Sequence, residues 1–125
     1  MKNARTLELV MWVGVLGAPL AWACQHVFGF GVTQAGCSIG SRGWNVPIDS
    51  WTIIAGAVAA ALAITGLVAS ILTFRAVSGA DNDTAPPEGR IYFMSICGIV
   101  ISPLFLAIIV MSTIATVVLT NCHQG

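Results

Sequence analysis

Charge is what this sequence has least of. Five basic and five acidic residues are all it carries among 125, or 8% of the chain, and they cancel to a formal net charge of zero. Soluble domains run at about 25% charged residues and about 45–50% apolar ones, against 57% hydrophobic here. A soluble chain of this length has too little interior to hide that much apolar surface, whereas lipid removes the need to hide it. Zero net charge leaves no electrostatic footprint for nucleic acid, so no nucleic-acid partner is expected. The phosphate-cradling glycine loops of nucleotide enzymes are missing, as are paired carboxylates within the apolar stretches and any nucleophile–base–acid constellation. The chain reads as a non-enzyme without a cofactor of its own.

What is present are three long apolar runs, Leu9 to Val32, Trp51 to Phe74 and Ile91 to Leu119, none of which contains Asp, Glu, Lys or Arg. A hydrocarbon core of about 30 Å needs roughly 20 helical residues to cross it. Backbone groups inside lipid must be satisfied within the segment, which selects helices. The expected fold is an all-α integral membrane domain over 1–125, with three transmembrane helices at about 9–32, 51–74 and 91–119. The first run has the basic start of a signal peptide, and Leu20-Ala-Trp-Ala-Cys24 loosely matches a lipoprotein cleavage site. It continues well past Cys24, however, beyond the length of a signal-peptide core, and Trp22 is bulky where such sites favour small residues. A retained helix is expected.

Placing the N-terminus and the second loop inside puts Lys2, Arg5, Arg75 and Arg90 on the inner side and leaves only Arg42 outside. The positive-inside rule then gives an N-in, C-out topology. Asp81, Asp83 and Glu88 share the inner loop, but acids count little in that rule. Trp44 and Trp51 at the outer level, and Tyr92 and Phe93 at the inner, are expected interface anchors. The inner loop Ser78–Gly89 is rich in Pro, Gly and Asp and reads as a turn. The outer loop, Thr33–Ser50, holds Gly36, Cys37, Gly40, Gly43 and Pro47 and is expected to be irregular. Asp49 or Ser50 is expected to cap the second helix.

With this topology Cys37 and Cys122 lie on the same outer side, where the compartment is oxidising, and a disulfide between them is expected. The alternatives are two free thiols, or part of a metal site with His123. Cys24 and Cys97 fall in opposite halves of two helices that run the same way, so these two cannot meet. His26 is the one histidine within an apolar run. Its functional reading is a haem ligand, proton relay or quinone contact, and its plainer reading is a neutral imidazole bonded to a neighbouring helix or subunit. In the second helix Gly56, Ala59, Ala60, Ala63, Gly66 and Ser70 fall at spacings of three and four and form a stripe of small residues. Such stripes let helix backbones approach closely in lipid, either within the unit or against another chain. Gly14 and Gly17 add small residues in the first helix, and Pro19 and Pro103 are expected to bend the helices that hold them.

The segment Gly17-Ala-Pro-Leu-Ala-Trp-Ala-Cys-Gln-His26 resembles small three-helix membrane proteins that accompany bacterial haem–copper (cytochrome c) oxidases. Their first helix reads roughly Gly-Pro-Leu-Ala-Trp followed by His or Gln, and they tend to carry one Cys in the first outer loop and one near the C-terminus, the places of Cys37 and Cys122 here. The likeness covers the first helix best, and Cys24 and Phe28-Gly-Phe-Gly31 depart from it. The resemblance implies a bacterial inner-membrane location and association with a respiratory complex, whose other subunits hold any haem, rather than a reaction. The expected role is a non-catalytic accessory subunit that aids assembly or stability and packs through the second helix and outer loop. The alternatives are a haem- or quinone-binding protein using His26, or a small homo-oligomeric channel or transporter with a thin polar stripe at Thr113, Thr116 and Thr120.

Overall fold

A computed structural model describes residues 3–38, 47–81, 83–119 and 122. They form three α-helices, α1 (Ala4–Cys37), α2 (Ile48–Ala76) and α3 (Glu88–Val118), with no strand among the described residues. At 1.5 Å per residue the helices are about 51, 44 and 47 Å long, each more than the roughly 30 Å of a hydrocarbon core. All three are long and apolar enough to cross a membrane, and each packs against the other two.

The helices outrun the apolar runs at nearly every end. Thr33–Cys37, expected in an irregular loop, is a further turn of α1, and Ile48–Ser50 already belongs to α2. The reason is physical: an apolar run ends where lipid ends, but a helix already nucleated propagates through polar residues at little cost. The same shift moves the start of α2, where Pro47 holds the N-cap position and Asp49 and Ser50 lie in the first turn. Pro suits the entry to a helix because its missing N–H has no intrahelical partner there, and the Asp49 carboxylate faces the positive end of the helix dipole. Neither Asp49 nor Ser50 is the cap. Pro19 and Pro103 lie inside continuous helices. Lys2, Gly40, Arg42, Gly43, Trp44, Thr120 and His123 lie outside the described residues.

The packing is inverted relative to a soluble bundle. Small residues fill the interior, and large ones such as Ile54, Val58, Leu62, Leu72, Leu104 and Met111 stand on the outside. On α2, Gly56, Ala59, Ala63, Gly66 and Ser70 are buried and Ala60 is half-buried, so the small-residue stripe is spent on α1 and α3 of the same chain. A methyl group on Gly66 would lie 3.5 Å from backbone atoms of Val13, Gly14 and Ala18, which makes this the place where α1 and α2 run backbone to backbone. Close approach of this kind replaces the hydrophobic drive that helices lack in lipid.

Two apolar clusters bracket that crossing. Ala18, Ala21, Ala59, Ala63 and Ile109 form one, with Trp22 and Phe105 against it; Met11, Val77 and Ile91 form the other, nearer the Ser78–Pro87 turn. Between them the helices are joined by hydroxyls. Ser95 Oγ lies 2.8 Å from Thr73 Oγ1, and Ser102 Oγ donates to the Gly14 carbonyl at 3.4 Å. Ser70 is 1% exposed and its hydroxyl is wedged between Gly14 and Gly98 without a hydrogen-bond partner. At the turn end, Arg90 pairs with Glu8 across α3 and α1.

Candidate functional site

The opposite end is covalently closed. Cys37, the last residue of α1, and Cys122 form a disulfide with their Cα atoms 5.3 Å apart and a sequence separation of 85. As disulfide sulfurs they cannot serve as thiolate metal ligands, and no group of three or more potential metal-binding side chains occurs among the described residues. Cys24 and Cys97 are free, the first exposed and the second half-buried.

Between that disulfide and the apolar core lies, among the described residues, a concentration of polar side chains drawn from all three helices. A pocket of about 370 Å³ is lined by Gln25, His26 and Thr33 of α1, Thr52 of α2, and Ser112 and Thr116 of α3, with Phe30 and Ala55 as its apolar part. Gln25 is its centre. The amide nitrogen donates to Thr113 Oγ1 at 2.9 Å and to Ser112 Oγ at 3.3 Å. Those two hydroxyls can accept because their own protons go elsewhere: Thr113 donates to the Ile109 carbonyl at 2.8 Å and Ser112 to the same carbonyl at 3.1 Å. Both amide protons of Gln25 are thereby used and its Oε1 is buried without a partner among the described residues. Thr52 and Thr116 bond back to their own helices in the same way, Thr52 to the Ile48 and Asp49 carbonyls and Thr116 to those of Ser112 and Thr113. Back-bonding of this type is the usual fate of Ser and Thr inside a helix.

His26 is the rim of this pocket rather than its floor. It is exposed on the surface of the bundle, and its one hydrogen bond among the described residues joins Nδ1 to the Trp22 carbonyl of its own helix at 3.2 Å. Its ring lies 4.7 Å from that of Trp22, which meets Phe105 of α3 edge-on at 5.5 Å. A carbonyl only accepts, so the bond requires a proton on Nδ1, and in a neutral imidazole Nε2 is then a lone-pair acceptor.

Of the residues singled out in the sequence, the structure brings His26 to the pocket and Cys37 and Cys122 together beyond it. Gly56 lies beside it, against Thr113. The rest of the small-residue stripe runs through the core and away from the pocket. Thr113 and Thr116 face Gln25 and the pocket rather than a separate surface. Sequence reasoning passed over Gln25, Thr52 and Ser112 as site residues. The available signal was a lone amide inside a charge-free run, with hydroxyls at matching depth on the two other helices. A second groove of about 470 Å³, almost wholly apolar, runs between α1 and α2 past Leu20, Phe28, Ile54 and Leu62, and shares Gln25 and Ala55 with the polar pocket. Compared with family models, curated proteins and solved structures, the chain matches none.

Proposed function

We propose that this chain is a non-catalytic accessory subunit of a bacterial respiratory electron-transfer complex, a multi-pass protein of the inner membrane oriented N-in and C-out, which aids assembly or stability of its partners. The observation that carries the reading is exposed His26. It lies about 8 Å along the helix axis from the middle of the Leu9–Val32 run, so it falls within the hydrocarbon. Ionisable side chains at that depth are expensive against lipid and almost always face protein or a polar cavity. On a single copy of this chain the imidazole is exposed, and a neighbouring subunit supplies the cover that the chain itself does not. His26 closes the Gly17–His26 segment that resembles oxidase-associated proteins. The partner-facing surface of this reading is the α1 face around Trp22 and His26, because the small residues of α2 are occupied inside the unit.

The test is extraction from native membranes in a mild detergent, with an optical spectrum of what copurifies. Haem-containing subunits in fixed ratio to this chain, lost or weakened in His26→Phe, are the expected result. A chain that arrives alone would sink the reading.

A second reading, a membrane protein that binds haem or a quinone-type ligand at His26, is favoured by one observation. The pocket gathers polar groups from three helices at the level of His26 and leaves a buried acceptor on Gln25 without a donor. A haem band in the isolated chain, absent from His26→Ala, would establish the haem form of it.

A further inference from the structure

The polar pocket has an unusual hydrogen-bonding sign. Three of its four lining hydroxyls have committed protons: Ser112 donates to the Ile109 carbonyl, Thr52 to those of Ile48 and Asp49, and Thr116 to those of Ser112 and Thr113; the fourth, Thr33, can donate as well as accept. The two amide protons of Gln25 are committed to Ser112 and Thr113. The imidazole proton of His26 is committed to the Trp22 carbonyl. Apart from the Thr33 hydroxyl, what remains facing or flanking the cavity are lone pairs, on Gln25 Oε1, His26 Nε2 and the hydroxyl oxygens of Thr52 and Thr116. A cavity in which acceptors outnumber donors calls for a donor, since a buried acceptor left unpaired costs about 1–3 kcal/mol that an incoming donor recovers.

We infer that this pocket binds the neutral, hydroxyl-bearing head of a membrane-dissolved amphiphile, specifically a hydroquinone in preference to its oxidised quinone. This rests on the reading of the pocket as a ligand site and narrows it to one redox form. Three observations select the ligand. The pocket extends from Gln25 and Ser112, inside the apolar runs, to Thr52 and Thr33 at the end of two of them, the edge of the hydrocarbon where the polar head of an amphiphile sits. Its lining holds no Asp or Glu to compensate an ammonium, and a buried cation without a partner is strongly disfavoured. About 370 Å³ lined in part by Phe30 and the His26 ring admits a flat aromatic head. A hydroquinone brings two O–H donors to this set of acceptors. A quinone brings two carbonyl acceptors, of which Thr33 can satisfy one, and the rest of the set meets them with lone pairs. The apolar groove adjoining at Gln25 and Ala55 offers a surface for the chain that such amphiphiles carry. No redox step is assigned to the protein.

The experiment uses the full chain purified into nanodiscs of phosphatidylcholine. Decylubiquinol kept reduced under argon, decylubiquinone, and phosphatidylethanolamine are titrated separately, with Trp fluorescence as the readout. Saturable binding of the quinol at least about tenfold tighter than the quinone is expected, the gap that one or two net hydrogen bonds produce. His26→Phe keeps an aromatic ring at an exposed position and removes one acceptor; Thr116→Val keeps the shape and removes another. Each is expected to weaken quinol binding about fivefold or more and leave quinone binding unchanged, with retention of the Cys37–Cys122 disulfide as the check on folding. Equal affinity for the two redox forms, or tighter quinone binding, would overturn the donor assignment while leaving a ligand site. Absence of saturable binding by either would overturn both. Displacement of quinol by phosphatidylethanolamine would assign the pocket to a lipid ammonium and overturn the proposal.

Discussion

Gln25 and Thr113 are 88 residues apart in sequence, and the amide nitrogen of one donates to the hydroxyl of the other at 2.9 Å. That bond, with its companion to Ser112, is the main polar link between α1 and α3 in the half of the bundle that carries the disulfide. Side-chain hydrogen bonds between membrane helices contribute about 0.6 kcal/mol on average and rarely exceed about 1.7. Gln25→Leu is expected to destabilise the bundle by about 0.5–1.5 kcal/mol, offset in part because the orphaned Oε1 goes with it. Thr113→Val should lose less, since the amide still reaches Ser112. Unfolding in mixed micelles measures both, and a variant of Gln25 more stable than the parent would show that the amide is held for binding rather than for packing.

Gly98 and Gly31 make a matched pair on different helices. A Cβ on Gly98 would overlap the side chain of Ser70, whereas one on Gly31 meets nothing within 4 Å. Gly98→Ala is therefore expected to cost about 1–3 kcal/mol through overpacking. Gly31→Ala should be neutral or slightly stabilising, because Ala is the better helix former. Equal melting temperatures for the two variants would contradict the tight crossing at Ser70.

The Cys37–Cys122 bridge makes a chemical prediction. Alkylation without reduction, followed by mass spectrometry, should modify Cys97 and Cys24 in denaturant and spare Cys37 and Cys122; finding the latter pair alkylated would refute the disulfide. For a span of 85 residues the chain-entropy estimate is roughly 4–5 kcal/mol. Helices that stay formed in micelles leave less freedom to remove, so reduction should lower stability by less than that ceiling.

Glu8 and Arg90 pair at the opposite end, with side chains 41% and 51% exposed. Exposed pairs contribute about 0–1 kcal/mol and are screened by salt. Glu8→Gln is expected to change stability by under about 1 kcal/mol, with the difference shrinking further in high salt. A larger, salt-insensitive loss would mean that the pair is buried by a partner.

The three helices were legible because lipid imposes a single rule, that a span be apolar and internally bonded, and the absence of charge in each run states it directly. Their ends were less so, because Thr33–Cys37 continues a helix that hydropathy had already closed. The stripe on α2 announced close packing, but spacing alone does not say which surface it meets, and only the approach of Gly66 to Val13, Gly14 and Ala18 assigns it to α1. His26 was visible as the one histidine in an apolar run. Gln25 is uncharged and its partners lie on another helix, so the pocket becomes apparent only when the relative rotation of α1 and α3 is known.

The bridge between Cys37 and Cys122 also bears on how the chain is made. Its two sulfurs belong to the ends of the first and third helices, so they can meet only when both helices point the same way through the bilayer and the second points back. A copy in which the third segment failed to insert, or entered reversed, would hold its two thiols on opposite sides of the membrane and remain open. Closure therefore records correct insertion, copy by copy, and the fraction of oxidised chain seen on a non-reducing gel counts the molecules that reached the right topology.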